Sequence, residues 1–348
     1  MKRSLQKTFC FTLCAAGAAI FAAACAAPEL TIEQKNVIAQ IRNADQTNVA
    51  LPANVNFCEP ESGKTPLIHA VISRKQSVIN SLLQAGAMPE VGDAKGMTPF
   101  HYAAEQESTA IAQLLLDRGA NVNTVDKYGK TPLMDAARLG NREMVSFLLR
   151  AGADPDIVDK KERKAAVFAA TAKNHSAELV KMLLPAEAAL PDVIGPITAA
   201  ILAKNHDTAM DLFTRYFPAD LSSDQNIVLS GLAVMKAAIY AGDATFVKTL
   251  IDRKLTLNTD THTAYKMLRY VQMKNWFKTF ARAKLIDDGK MPLFWAAEKN
   301  NAEIVKMLLK AGANPKAEDH HRMMPVDYTR DYEVYRLLKD GIDEKTEK

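Results

Sequence analysis

Three glycines, Gly63, Gly96 and Gly129, recur at an interval of 33 residues, and each opens the same phrase. The phrases read Gly63-Lys-Thr-Pro-Leu67, Gly96-Met-Thr-Pro-Phe100 and Gly129-Lys-Thr-Pro-Leu133. A second series, Gly86, Gly119 and Gly152, keeps the interval in LLQAGA, LLDRGA and LLRAGA. Much later, Gly289-Lys-Met-Pro-Leu293 and LLKAGANP (Leu308 to Pro315) restate both phrases. A unit this short cannot bury an apolar face alone, so copies must stack on one another.

Each phrase has a physical reading. Thr65, Thr98 and Thr131 suit a helix N-cap, and the proline that follows suits the first helical turn. Paired small residues, Ala103-Ala104 and Ala136-Ala137, let neighbouring helices approach closely, while the Leu-Leu pairs face inward. The trailing glycines can take the left-handed conformation that ends a helix. Alanine is abundant and aromatics make up 7%, which favours closely packed helices over a sandwich or barrel.

In these phrases the sequence closely resembles the ankyrin repeat family. The resemblance implies an all-α repeat solenoid, an array of paired antiparallel helices joined by β-hairpin loops. It is strong over 61–157 and 287–316 and worn between. Lys164 to Leu184 keeps the helix pattern without Thr-Pro; Gly195 to Phe213 and Met235 to Ile251 read as further copies; Tyr265 to Leu285 is the most degenerate. Thr31 to Asn43 reads as an opening helix and Pro325 to Leu338 as a closing half repeat. The expected layout is a signal peptide (1–25), an N-terminal capping region (29–58), clear repeats (59–157), degenerate repeats (158–286), a clear repeat plus cap (287–340) and a flexible tail (341–348).

The first 25 residues read as an export signal. Lys2, Arg3 and Lys7 precede the uncharged apolar run Phe9 to Ala24, and small residues surround Cys25. Losing the three cations lowers the formal charge from +4 to +1, too little for a nucleic-acid binder with a broad basic face. Ala23-Ala24-Cys25 resembles a bacterial lipobox, which makes Cys25 a lipidation candidate and a membrane tether. The usual leucine three residues before the cysteine is replaced by Ala22. An ordinary cleavage nearby would instead release a soluble periplasmic protein, in which Cys25 and Cys58 can pair. The default expectation for Cys58 is a small buried thiol. The expected location is the periplasm, with outer-membrane anchoring if Cys25 is acylated.

No catalytic motif is present, since GxGxxG, Walker, HExxH and GxSxG patterns are all missing. The chain is expected to be non-enzymatic and to need no cofactor or metal. The seven histidines are scattered. His101 has the place that the family uses for a turn hydrogen bond, His69 reads as a partly exposed helix residue, and His175 and His206 read as turn residues. His320-His321 beside Asp319 reads as a solvated loop.

The family's chemistry is recognition, through hairpin tips and the exposed face of the first helices. Carrying the family's contact positions over gives Lys95, Met97, Lys127, Tyr128, Lys130, Arg138 and Leu139 as partner-binding candidates. Their cations face only Glu105 in that list, and Lys160, Lys161, Arg163 and Lys164 extend them. Stacking would align these as a basic stripe with Tyr128, Met97 and Leu139 as apolar anchors. The implied partner is a protein with an acidic face, bound by a monomer. Similar exported ankyrin proteins include immunity proteins that neutralise a toxic enzyme and accessory factors of catalase-linked peroxide defence. Both roles stay open at this point, as do a host-directed effector and an enzyme in the worn middle.

Overall fold

The computed structural model of the chain describes residues 29–43, 49–222, 224–259 and 289–344. It divides into two compact units, 1–168 and 169–348. The described residues are helical and contain no strand, in the architecture of an all-α repeat solenoid.

The first unit opens with α1 (Ile32–Arg42). Its start is fixed by a reciprocal pair: the Gln34 amide donates to Thr31 Oγ1 at 3.2 Å, and the Thr31 amide to Gln34 Oε1 at 3.0 Å. Three helix pairs follow: α2 (Pro66–Ile72) with α3 (Gln76–Gln84), α4 (Pro99–Glu105) with α5 (Thr109–Asp117), and α6 (Pro132–Leu139) with α7 (Arg142–Arg150). Thr65 and Thr131 cap their helices, each hydroxyl accepting the amide three residues on at 3.3 Å. First helices stack in order, α1 on α2, α2 on α4 and α4 on α6. The buried alanines Ala103, Ala104, Ala136 and Ala137 leave room for that close approach. Leu82, Leu115 and Leu148, one per repeat, are fully buried.

Helix α8 (Ala165–Ala170) lies where the two units meet in the sequence. The second unit continues with α9 (Ser176–Leu183), α10 (Leu190–Leu202), α11 (His206–Tyr216), α12 (Gln225–Ala241) and α13 (Ala244–Asp252). Then come α14 (Pro292–Glu298), α15 (Ala302–Lys310), a 3-10 turn (Pro325–Tyr328) and α16 (Tyr332–Glu344). Two first helices that lack Thr-Pro are longer: α10 has 13 residues and α12 has 17, against 7 in α4. Helix α12 begins well upstream because Asp224 accepts the amides of Asn226 and Ile227 at 2.7 and 3.3 Å. Phe213 of α11 and Phe246 of α13 are both fully buried, with ring centroids 5.3 Å apart.

Two features differ from the sequence reading. The Tyr265 to Leu285 copy lies outside the described residues, yet α12 packs on α14 and α13 on α15. The repeats that flank this segment are therefore direct neighbours. Asn258 makes the same point, because its amide bridges to Gly312 and Asn314 as Asn56 bridges to Gly86 and Met88. At the other end, α16 runs to Glu344, past the point where fraying was expected. Gly341 explains the extension, since a Cβ there would lie 3.4 Å from Leu309 and 3.7 Å from Pro315.

Candidate partner-binding surface

The hairpins that open the second and third repeats, and the one that follows them, are single turns, each pinned by one carboxylate. Asp126 Oδ1 accepts the amides of Tyr128 and Lys130, both at 2.8 Å, while the Asp126 amide donates to the Lys130 carbonyl at 2.9 Å. Asp93 holds Lys95 and Met97 in the same way, and Asp159 holds Lys161 and Arg163. With the arms this short, one closing bond and one side chain replace a strand ladder. The sequence reading missed these pins. Their signal was there, because Asp93, Asp126 and Asp159 repeat the 33-residue interval.

Successive hairpins are then stitched together through the backbone. The Ser62 carbonyl accepts from the Ala94 amide at 2.9 Å, Lys95 from Lys127 at 2.8 Å, and Tyr128 from Lys160 at 2.8 Å. This contact explains the leading glycines. Gly96 has φ +79°, and a Cβ on it would come within 2.9 Å of the Lys127 nitrogen. His101 adds a side-chain stitch, with Nδ1 accepting from the Thr98 amide at 3.2 Å and Nε2 donating to the Lys130 carbonyl at 3.0 Å. Burial lowers its pKa, so the ring stays neutral and the amide contact fixes its tautomer.

On this frame Lys95, Lys127 and Tyr128 are exposed at the tips, Tyr128 to 59%. Met97, Lys130 and Leu139 are half-buried behind them, and Arg138 is exposed at the end of α6. The stripe also has more counter-ions than Glu105. Arg138 lies 3.6 Å from Glu105 and 3.9 Å from Asp135, and Arg163 donates twice to Asp159 Oδ2, at 2.9 and 2.7 Å. Lys164 pairs with Asp156 at 2.9 Å. The exposed cations at the tips are thus Lys95, Lys127, Lys160 and Lys161.

The structure corrects the reading of two residues. His69 is buried, not partly exposed: its Nε2 lies 3.3 Å from Glu59 Oε2, and Arg42 Nη2 reaches the same acid at 2.7 Å. The register explains this, because His69 stands where the next repeat has Tyr102, whose hydroxyl donates to Asp93 at 2.7 Å. Cys58 is buried and disulfide-bonded rather than a thiol, with its partner outside the described residues. Cys25 also lies outside them.

Three further histidines have structural places. His175 takes a left-handed turn before α9, and His206 opens α11 with Nδ1 at 2.8 Å from Asp243. The amide of His321 donates to Asp319, the pin of the last hairpin, whose other oxygen accepts from Tyr328. Among the described residues, no three His, Cys, Asp or Glu side chains gather as metal ligands would.

A family model for ankyrin repeats (3 copies) matches residues 80–159, 133–220 and 197–343. The chain belongs to the ankyrin repeat family. The matches run without a break from 80 to 343, so the similarity to the family extends through the worn middle of this ankyrin repeat protein. Ankyrin repeats are protein-interaction scaffolds, typically without catalysis, and that coarse function holds for this chain.

Proposed function

We propose that this chain is a non-enzymatic binding protein of the bacterial periplasm that holds a protein partner by an acidic face. The observation that carries the reading is the row Lys95, Lys127 and Lys160. Each is exposed at a hairpin tip, and each hairpin is bonded through its backbone to the next. A fixed row of like charges steers an oppositely charged surface and sets its register at little entropic cost. Tyr128, the most exposed aromatic in the row, is the anchor. A partner enzyme held this way would be inhibited by occlusion, which is the immunity-protein version of the role.

The export signal and the disulfide at Cys58 support an oxidising compartment. In a chain cleaved before Cys25, that residue is the one cysteine left to pair with Cys58. Acylation of Cys25 would remove it from that pairing, so the soluble form and the lipoprotein differ in the chemistry of this one residue. Intact mass of the exported protein separates the two. Loss of two hydrogens on oxidation supports the soluble form, and a diacylglyceryl addition contradicts it.

The partner reading is tested by capture from envelope extract at two salt concentrations, with mass spectrometry. Expected is an acidic protein retained at low salt, released at high salt, and lost by Lys95→Glu/Lys127→Glu. Equal retention by the reversed chain contradicts the reading.

A further inference from the structure

The fourth residue after the capping threonine has a fixed job in the first two repeats. There Tyr102 donates to the hairpin acid Asp93, and His69 sits against Glu59. In the third repeat the same place holds Asp135, a carboxylate opposite the hairpin acid Asp126 of its own repeat. Asp135 is 4% exposed, and among the described residues no hydrogen bond reaches its carboxylate. The nearest cation is Arg138, whose Nε lies 3.9 Å away and whose Nη2 is 3.6 Å from Glu105 on α4. Both distances exceed hydrogen-bonding range, so Arg138 spans the two acids without locking to either.

Resting on the basic-stripe reading above, we propose that Asp135 is a proton gate on that surface. While ionised, it opposes an acidic ligand and holds the charge of Arg138 and Lys130; once protonated, it yields both cations to the ligand. Binding an anion here is therefore coupled to the uptake of one proton.

The groups around Asp135 allow this. Its own hairpin offers Lys130 and Asp126. Helix α4 offers Glu105 and His101, the latter neutral and committed to the Lys130 carbonyl. Helix α7 turns apolar Met144, Val145 and Leu148 inward. Burial pushes Asp135 up to about 6, against the pull of Lys130 and Arg138 and with a push from Asp126. Glu105 is raised as well, by burial first and by Asp135 next. The gate thus works between neutral and mildly acidic pH.

A binding-competent form that is the protonated fraction limits the effect. Between pH 7.5 and 5.5 that fraction rises by about 25-fold for a group titrating near 6, which caps the gain in affinity.

The test titrates poly-L-aspartate into the full mature chain by calorimetry at pH 7.5 and 5.5, in two buffers of different ionisation enthalpy. Expected is a gain of about 3- to 25-fold on acidification, with proton uptake on binding at pH 7. Asp135→Asn should bind at pH 7.5 as the wild type binds at pH 5.5, with the uptake lost. If Asp135→Asn keeps the wild-type pH dependence, the gate is overturned while the stripe stands. If the probe fails to bind at either pH, or binds Lys95→Glu/Lys127→Glu equally well, the stripe itself fails and the gate with it. Should Asp135→Asn not fold, carboxyl NMR of the wild type decides: a rise in the Asp135 pKa on adding the probe supports the gate, and an unmoved pKa overturns it.

Discussion

His101 donates through Nε2 to the carbonyl of Lys130, 3.0 Å away and 29 residues further along the chain. One ring thus joins the start of α4 to the hairpin that opens the next repeat, at a site with no exposure. Removing it leaves the buried Thr98 amide without its acceptor and the Lys130 carbonyl with the Asp126 amide as its remaining donor. His101→Ala should cost about 2–4 kcal/mol, read from urea unfolding. A loss below 0.5 kcal/mol would show that the stitch is ornamental.

The hairpin pins make a separate prediction. Asp126→Ala removes the acceptor of two amides, while Asp126→Asn keeps one acceptor oxygen. The alanine variant should lose about 1–2 kcal/mol and speed hydrogen exchange at Tyr128 and Lys130. The asparagine variant should recover most of both. Equal exchange in the two variants would contradict the pinning role.

How much of this was legible in the sequence differs by residue. Thr65, Gly96 and Leu82 announced themselves because a cap, a tight turn and an inward leucine are local choices repeated at one interval. Asp93, Asp126 and Asp159 kept the same interval, but a lone aspartate in a loop reads as a solvated charge until its amide partners are seen. His69 was misplaced for a similar reason: read against His101 it is one residue out of step, and only packing shows that it belongs with Tyr102. The 17 residues of α12 were not legible either, because its start depends on Asp224 and not on a Thr-Pro phrase. Nor did local pattern reveal that α12 and α14 touch, since Tyr265 to Leu285 has a helical composition of its own.

Acid should weaken the first unit through His69. Burial lowers its pKa to about 4, from an ordinary 6.5. A depressed folded-state value means that the neutral ring's contribution is complete above pH 6.5. It is lost as pH falls toward 4, because the unfolded chain then binds the proton more tightly. The loss should approach about 2–3 kcal/mol at pH 4. His69→Gln should flatten unfolding free energy against pH over that window; an unchanged slope would assign the acid sensitivity elsewhere.

Asp135 has the opposite sign. A carboxylate raised to about 6 destabilises the fold when ionised, so its penalty appears as pH rises from 3.8 through 6. Asp135→Asn should therefore stabilise the chain at pH 7.5, by about 1–2 kcal/mol, and change little at pH 4. Thermal melts at the two pH values check this, and destabilisation at pH 7.5 would contradict it.

The most direct test of the account reverses Lys95, Lys127 and Lys160 to glutamate together, leaving the carboxylate pins in place. Binding of poly-L-aspartate at 50 mM salt should weaken at least ten-fold, on the order of 0.5–1 kcal/mol per reversed charge, and its salt dependence should flatten. Unchanged affinity with unchanged salt dependence, in a variant that melts like the wild type, would contradict the tip lysines as the surface that meets the partner.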